Sequence, residues 1–335
     1  MPQSKGFAAT DPKTPLAPFS FSRRDPGPTE IAIDILFCGV CHSDLHMARN
    51  EWGQSIYPMV PGHEIVGRVT ATGSSVKKFK AGDIAAVGVI SDSCRHCAPC
   101  NRGEEHFCLE GSTLTYAAKD RVDGSITMGG YSSNYVVDER FSHTVPSNLD
   151  LAAVAPLLCA GITTYSPLRH WKVGPGKKVG IIGLGGLGHM GLKFAHSFGA
   201  QTVQLTTSLK KKDDAIKLGA DEVIVSTDEA QMKKQLQQAR MLLEKSKSKG
   251  EESATIHTEL AGIYYRLGVW ERAAAEYAEA LRMRRRRNDL RFSLGQAYAQ
   301  LGRVGDAEQK YREILSLSPD DADALKALQD LGKRY

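Results

Sequence analysis

The last third of the chain repeats itself at an interval of 34 residues, seen first in Leu260, Leu294 and Leu328. The same offset relates further pairs of residues: Tyr264 and Tyr298, Leu267 and Leu301, Gly268 and Gly302, Ala273 and Ala307, Tyr277 and Tyr311, and Leu281 and Leu315. From about residue 229 onward the sequence is typical of helix throughout. A repeat of this length predicts stacked helical units, each buried against its neighbour, rather than one closed core.

The spacing and the residue types of this repeat resemble the tetratricopeptide repeat. The resemblance implies an all-α array at 254–335, with repeats at 254–287 and 288–321 and a terminal helix from about residue 322. Helix 229–246, in a joining segment at 229–253, carries Ala239 and Leu243 in the same register and is interpreted as an earlier half-repeat. An ordinary helical hairpin bundle is the alternative. Since two repeats are fewer than the usual minimum, we expect support from a neighbouring segment or a second chain.

The first 228 residues have a different composition. They hold all seven cysteines of the chain and all of its prolines except Pro319. Residues 30–37, 64–70 and 84–90 alternate or are β-branched, and they predict short strands of an all-β module. Residues 177–225 predict a β-α-β-α-β unit, which is the pattern of a parallel sheet.

Charge and hydropathy exclude several classes of protein. The net charge of +5 does not require a nucleic-acid partner. The first residues contain no apolar run typical of a secretory signal. The longest apolar stretch, residues 151–162, is too short to cross a bilayer. We therefore expect a cytoplasmic protein with no membrane partner, whose thiols are reduced and available to metal.

One short loop follows the pattern C-x2-C-x2-C-x7-C, formed by Cys94, Cys97, Cys100 and Cys108. Four thiolates at this spacing suit a tetrahedral zinc ion that is structural, because no coordination position is left for substrate. An iron–sulfur cluster is the chemical alternative, and disulfides are a weaker one.

A second candidate metal set is scattered along the sequence. Cys41, His63 and Cys159 together offer two sulfurs and one nitrogen, which leaves a fourth position open, as a catalytic zinc requires. Each of these residues alone is equally compatible with an ordinary core or surface position.

The motifs CGVCHSDLH, VPGHEIVGRV, APLLCAGITTYSPLRHW and GLGGLGHMG occur in a fixed order around the four-cysteine loop. In this order they resemble the zinc-dependent medium-chain alcohol dehydrogenases, and the flanking sequence is most similar to the cinnamyl alcohol dehydrogenase group. The resemblance covers residues 1–228. It implies a mainly-β GroES-like zinc catalytic domain at 1–155 and a partial Rossmann cofactor domain at 156–228. The chain as a whole is then a fusion of two kinds of protein.

The resemblance also implies roles for individual residues. Cys41, His63 and Cys159 would hold a catalytic zinc, and Glu64 would exchange with water at the metal. Asp44 would orient His63, and Ser43 and His46 would pass the alcohol proton to solvent. The four-cysteine loop would hold a second zinc. Cys38 remains as a buried strand residue. Trp52 and Tyr57 are candidates for the lining of an aromatic-tolerant substrate pocket, with packing residues as the alternative.

A glycine-rich turn predicts the dinucleotide site. It follows a predicted strand and begins a helix, as phosphate binding requires, and it comprises Gly183, Gly185, Gly186, Leu187 and Gly188. The next strand ends in Thr207 and Ser208 and is followed by Lys211 rather than by an acid. Hydroxyls and lysines suit a 2′-phosphate, so NADP is the predicted cofactor. A solvated lysine run at a helix start is the alternative.

The family pattern stops after the third strand. The family continues with three more strands, whereas here the helical repeats begin. The strand at 177–182 is therefore expected to present a bare apolar edge. The repeats would either cover the half-sheet or fold separately from it.

Three functions follow from these patterns. The first is a zinc-dependent, NADP-preferring alcohol dehydrogenase or aldehyde reductase acting on a small aldehyde or alcohol, weakened by its incomplete cofactor domain. The second is an interaction module whose repeats bind a peptide or protein and carry an inactive dehydrogenase fragment. The third is a chimera with neither activity. An oligomer is compatible with each.

Overall fold

The computed structural model describes residues 3–334; residues 1, 2 and 335, at the ends of the predicted domains, lie outside the described part. The chain divides into two compact units, and the division passes through the last strand. The first unit runs up to Leu205 and includes Lys210–Val223, while the second holds Thr206–Leu209 and the residues from Ile224 onward. Each unit is described by itself.

The strands belong mainly to the first unit. They are β1 Gln3–Ala8, β2 Ala17–Ser22, β3 Glu30–Cys38, β4 Ile65–Thr72, β5 Ile84–Val87, β6 Ile90–Asp92, β7 Thr113–Leu114, β8 Asn134–Asp138, β9 Ser142–Thr144, β10 Lys178–Ile182, β11 Gln201–Thr206 and β12 Glu222–Val225. The helices alongside these strands are α1 His42–Ala48, α2 Ala98–Asn101, α3 Leu151–Val154, α4 Ala160–His170, α5 Gly186–Ser197 and α6 Lys212–Lys217.

An antiparallel sheet in the order β8-β3-β4-β5-β9 forms the body of the first unit. Its strands are rich in β-branched residues, which suit a pleated and half-buried surface. Ile31, Ile33, Ile65 and Val87 are fully buried in its core. The run predicted as one strand at 84–90 is two strands, because the chain leaves the sheet after β5 and β6 pairs with β7 instead.

A separate parallel sheet has the order β10-β11-β12, with β10 at one edge. β10 pairs in parallel with β11, as a strand–helix–strand connection requires. Helix α5 packs its buried Leu192 against Ile181 of this sheet's cluster. At the open edge Ile182 is 84% exposed.

The second unit is helical. Its helices are α7 Glu229–Ser248, α8 Ala254–Arg266, α9 Trp270–Met283, α10 Asn288–Gln300, α11 Val304–Leu317 and α12 Ala322–Arg334. Successive helices pack on one another. The bounds of α8 and α10, and those of α9 and α11, differ by the 34 residues of the repeat. Ala273 and Ala307 are fully buried, and Gly268 and Gly302 both take positive φ in the turn within a repeat. The three-part fold class predicted from the sequence is confirmed.

Among residues 3–334 no single helix has the length and apolarity needed to cross a membrane. One pair of helical segments, Leu151–Leu158 and Ala160–His170, passes by length and composition alone, with a bend of 60° between them.

Candidate functional site

Two helix starts bring two distant cysteines together. Cys41 precedes α1 and Cys159 precedes α4, and their sulfurs lie 3.8 Å apart. Ligand atoms of His63 and Glu64 complete a group in which all four atoms lie within 4.8 Å of one another. His63 and Glu64 are both buried, so a charge in this group is held away from water. The structure thus gathers the four residues predicted to surround the catalytic metal.

His63 is held by one nitrogen and left free at the other. Its Nδ1 lies 3.0 Å from Oδ1 of Asp44, whereas its buried Nε2 has no hydrogen-bond partner among the described residues. Burial lowers the pKa of His63, but the hydrogen bond to Asp44 and the neighbouring Cys159 outweigh burial and raise it to about 11. An orphaned nitrogen beside two sulfurs is the arrangement that a metal ion would satisfy.

The two thiols compete for negative charge. Burial raises the pKa of Cys41, but hydrogen bonds from Ser43 and the charge of His63 reverse this and lower it. His63 lowers the pKa of Cys159, yet burial and the nearby Cys41 raise it above its ordinary range. Two thiolates this close repel each other unless a cation lies between them.

A glycine makes room for Glu64. A Cβ at Gly39 would come within 1.8 Å of Oε2 of Glu64, so only glycine allows the carboxylate to occupy this place. Burial raises the pKa of Glu64. The charge of His63 opposes this rise but does not cancel it. The donor set of two sulfurs, one imidazole and one carboxylate fits zinc.

Helix α1 carries the predicted proton path. Ser43 and His46 are three residues apart, which places them on the same face of the helix. His46 is half-exposed, pairs with Glu51 through Nδ1 and packs against Trp52 with ring centroids 5.0 Å apart and the rings tilted by 30°. The face therefore leads from the Cys41 sulfur toward solvent.

The remaining sequence candidates near the site lie as follows. Tyr57 donates a hydrogen bond to the carbonyl of Ala48 at 2.7 Å and packs beneath α1. Cys38 ends β3 and packs against the core of the antiparallel sheet. Sequence reasoning missed Tyr131, whose hydroxyl donates to Oδ2 of Asp44 at 2.9 Å. The glycine pair that precedes Tyr131 was the available signal.

The four-cysteine loop forms a second group of converging sulfurs. Cys97 and Cys100 are 3.4 Å apart at sulfur, Cys94 and Cys100 are 3.9 Å apart, and Cys108 lies within 4.8 Å of the others. A zinc ion with four sulfurs at about 2.3 Å has edges of about 3.8 Å between them. These spacings fit one ion at the centre better than a cluster, which spreads its ligands over several irons.

Backbone amides support thiolates in this loop. The N–H of Leu109 donates to the Cys97 sulfur at 3.5 Å, and the N–H of Cys94 donates to Cys108 at 3.4 Å. The N–H groups of Cys100 and Leu109 lower the pKa of Cys97 to about 6. The N–H of Cys94 likewise lowers that of Cys108. Such bonds favour the charged sulfur that binds metal.

The glycine-rich turn lies between β10 and α5. Gly183 takes a φ of +84° and Gly185 precedes the helix, whose first turn contains the next three predicted residues, Gly186, Leu187 and Gly188. A Cβ at Gly188 would lie 1.9 Å from the carbonyl oxygen of Gly183. The turn therefore depends on glycine, and it directs the amides at the start of α5 outward.

The residues predicted to select NADP are divided between the two units. Lys211 donates from Nζ to the carbonyl of Leu184, within the glycine-rich turn, at 3.1 Å. Thr207 and Ser208 belong to the second unit, where the N–H of Ser208 donates to Oγ1 of Thr206 at 3.3 Å. The selection of NADP by these residues stays a prediction.

Comparison with known proteins agrees with this geometry. Residues 27–147 match the alcohol dehydrogenase GroES-like domain, and residues 258–322 match the tetratricopeptide repeat. Aldehyde reductase YahK of Escherichia coli is 53% identical over 229 residues, which are 68% of this chain and 65% of that protein. The chain thus spans just under two thirds of this relative.

Solved structures give the same result. A cinnamyl alcohol dehydrogenase from Sorghum bicolor superposes with a TM-score of 0.67 at 48% identity, covering 69% of this chain and 66% of that one. A cinnamyl alcohol dehydrogenase from Helicobacter pylori, solved with NADP(H), superposes with a TM-score of 0.65 at 47% identity, covering 67% and 64%.

Proposed function

Because residues 27–147 form an alcohol dehydrogenase GroES-like domain and the first two thirds of the chain are homologous to aldehyde reductases and cinnamyl alcohol dehydrogenases, we propose that this chain is a zinc-dependent, NADP-preferring aldehyde reductase or alcohol dehydrogenase. The observation that carries the proposal is the buried group of Cys41, His63, Glu64 and Cys159, in which the free Nε2 of His63 lies beside two sulfurs 3.8 Å apart.

The residues of this group would hold one zinc, and the four-cysteine loop a second. Bound there, the catalytic zinc supplies a Lewis acid for the oxygen of a carbonyl or an alcohol, and the nicotinamide supplies the hydride. The chain's own residues do the rest. Asp44 fixes the plane of His63, and the buried position of Glu64 keeps a carboxylate oxygen within reach of the metal.

Proton transfer follows the exposed face of α1. The hydroxyl of Ser43 contacts the Cys41 sulfur, and His46 lies one turn further along the same face. Because Glu51 binds Nδ1 of His46, the Nε2 of that ring is the atom available for exchange with water. This path would connect the substrate oxygen to solvent.

The cofactor would bind through the start of α5 and Lys211. In a doubly wound sheet the dinucleotide crosses from the first three strands to the next three. Within residues 3–334 the parallel sheet has three strands, so only the adenosine and pyrophosphate side is formed by this sheet. We therefore expect turnover to be slower than in relatives whose sheet has both halves.

The test is NADPH oxidation with an aromatic aldehyde, measured on protein whose zinc content is known, beside the variant Cys159→Ala. Two zinc ions per chain and turnover that Cys159→Ala abolishes are expected. Two zinc ions per chain without turnover would refute the proposed enzymatic activity but would leave both proposed zinc sites standing. Less than one zinc ion per chain, in protein isolated without chelator, would refute both the activity and the zinc sites.

The tetratricopeptide repeats favour a second function, peptide binding. A groove of about 360 Å³ runs along α9, lined by the small side chains of Ala274, Ala275 and Ala278 and closed by Tyr298 and Leu301. Small residues along a helix leave room for a partner's side chains. Display of a peptide library against the full chain and against Ala278→Arg tests this function. Peptides that bind only the unchanged groove would support it, and equal selection by both proteins would oppose it.

A further inference from the structure

The carboxylate of Asp44 is saturated with hydrogen-bond donors. Its Oδ1 accepts from the N–H of Gly62 at 2.9 Å and from Nδ1 of His63 at 3.0 Å. Its Oδ2 accepts from the N–H of Cys41 at 3.0 Å and from the hydroxyl of Tyr131 at 2.9 Å. Asp44 is 3% exposed, so these donors replace water. A buried carboxylate with four donors has no acceptor demand left unmet.

The four donors come from three segments of the chain. Cys41 caps α1, and the carboxylate of Asp44 closes the capping box by accepting its N–H. Gly62 and His63 lie in the loop before β4, and Tyr131 lies in the loop before β8. Asp44 therefore joins the segments that carry two of the proposed zinc ligands.

The loop that carries Tyr131 is placed by its backbone. The N–H groups of Gly129, Gly130 and Tyr131 donate to the carbonyls of residues 60, 62 and 61 at 2.7, 2.8 and 2.9 Å. This approach requires glycine, because a Cβ at Gly129 would lie 2.4 Å from a carbonyl oxygen and one at Gly130 would lie 2.7 Å from the sulfur of Cys38. The Tyr131 hydroxyl is thus fixed relative to the loop of His63.

We propose that Tyr131 is a positioning residue for the catalytic zinc site, acting through Asp44 on the orientation and tautomer of His63. This inference rests on the proposed function. Because an ionised Asp44 only accepts, a neutral His63 must carry its proton on Nδ1, which leaves the lone pair of Nε2 for the metal. The Tyr131 hydroxyl fills the fourth acceptor position and holds the carboxylate in the plane that His63 needs. Its removal leaves Oδ2 with the N–H of Cys41 as its donor and weakens that control.

The experiment is cobalt titration of the full chain after removal of zinc, with chelator competition for affinity and the visible absorption of bound cobalt for ligand geometry. The four-cysteine loop serves as an internal control, because Asp44 is not among its proposed ligands and the loop should bind cobalt independently of that residue. For Tyr131→Phe we expect cobalt to bind about tenfold more weakly at the site of Cys41, His63 and Cys159. A loss of this size is typical when a residue that supports a metal ligand is mutated. The absorption band of this cobalt should also shift at saturation. The cobalt of the four-cysteine loop should not change.

Tyr135→Phe is the matched control, since it removes a buried tyrosine hydroxyl that donates to the carbonyl of Thr115 and does not touch Asp44. It should bind two cobalt ions as the unchanged chain does. A loss of stability alone would not shift the band at saturating cobalt. If Tyr131→Phe matches the unchanged chain in affinity and band while Asp44→Asn weakens the site, the role of Tyr131 is refuted and the zinc site stands. If the unchanged chain binds only one cobalt ion, the zinc site and the inference both fail.

Discussion

Arg95 Nη1 lies 2.9 Å from Oδ2 of Asp138, and this ion pair ties the four-cysteine loop to the end of β8. Arg95 stands between the first two cysteines of the loop with a φ of +67°, and it also binds Asp92 at 2.7 Å. Asp138 accepts further bonds from Thr29 and Arg140 and is 1% exposed at its side chain. The loop is thus fixed to the sheet by a buried charge.

Asp138 makes stability depend on acidity. Burial raises its pKa, but hydrogen bonds from Arg140 and Thr29 outweigh burial and lower it below the ordinary value. Because the folded-state pKa is the lower one, its contribution to stability is complete above the unfolded value of about 3.9 and is lost as the pH falls through the folded-state pKa. We expect Asp138→Asn to reduce unfolding free energy by about 1–3 kcal/mol near neutral pH.

Urea unfolding midpoints of both proteins, followed from neutral pH to about pH 3, measure this effect. The difference in unfolding midpoint between the unchanged chain and Asp138→Asn should become smaller as the pH falls. Asp34→Asn is the control, because Asp34 is exposed on β3 of the same sheet. A gap of equal size at every pH would contradict the argument.

Alanine substitution should divide the seven cysteines into three classes, according to which zinc ion the variant loses. Cys97→Ala should remove the zinc of the four-cysteine loop and lower the thermal midpoint, since that zinc would stabilise the loop. Cys159→Ala should remove the other zinc with a smaller change in the midpoint. Cys38→Ala belongs to neither group and should keep both ions. Elemental analysis of purified protein gives the counts, and loss of zinc in Cys38→Ala would count against the assignment.

Lys211 is expected to select the phosphorylated cofactor. It reaches the carbonyl of Leu184 in the glycine-rich turn, so its ammonium lies beside the proposed phosphate site. Lys211→Glu should weaken NADPH binding about tenfold relative to NADH, because one attractive charge becomes repulsive. Fluorescence titration of both cofactors measures the ratio. Lys217→Glu makes the same charge change at the far end of α6, the helix that Lys211 precedes, and should leave the ratio unaltered.

The open edge of β10 should promote self-association. Ile182 is 84% exposed at the end of an edge strand, a position where natural sheets usually carry a charge. Ile182→Lys should reduce aggregation on heating, measured by light scattering. Val122→Lys tests whether any added charge has this effect, because Val122 is 59% exposed in a turn away from strand edges. If both substitutions reduce aggregation equally, the edge of β10 is not the cause of self-association.

A buried ionic group joins the first three helices of the second unit. Glu276 of α9 binds His257 of α8 at 2.6 Å and Lys247 of α7 at 2.9 Å. Glu276→Gln should destabilise the helical unit by about 1–3 kcal/mol, because the Lys247 ammonium and the buried His257 ring both lose a charged partner. Circular dichroism during urea unfolding follows this unit. Glu279→Gln, one turn along and exposed with Arg282, should cost much less, because water screens that pair. A similar loss of stability in both variants would refute the role of burial.

Sequence spacing predicted the parts of this molecule that are local or periodic. The 34-residue interval predicted the helices, because each repeat packs on its neighbour and leaves its pattern in the chain. The four-cysteine loop was predictable for the same reason, since its ligands lie within one turn-rich segment. Cys41, His63 and Cys159 required resemblance to a family, because more than a hundred positions separate the first from the last.

The contacts that escaped prediction join segments far apart in the sequence. Tyr131 donates to Asp44 across 87 positions, and Arg95 binds Asp138 across 43. No sequence motif links the two residues of either pair, and tyrosine and arginine occur in many other structural roles. Such contacts follow from tertiary packing, so they became visible only once the loops were placed.

Four glycines surround the proposed zinc site: Gly39, Gly62, Gly129 and Gly130. At each of them a methyl group would collide with a ligand, a backbone atom or a neighbouring sulfur. The geometry of the site is therefore encoded partly by atoms that are missing. A protein engineer who transplanted Cys41, His63, Glu64 and Cys159 into another sheet would need to transplant these gaps too. Saturation mutagenesis should accordingly find the glycines as intolerant as the ligands themselves.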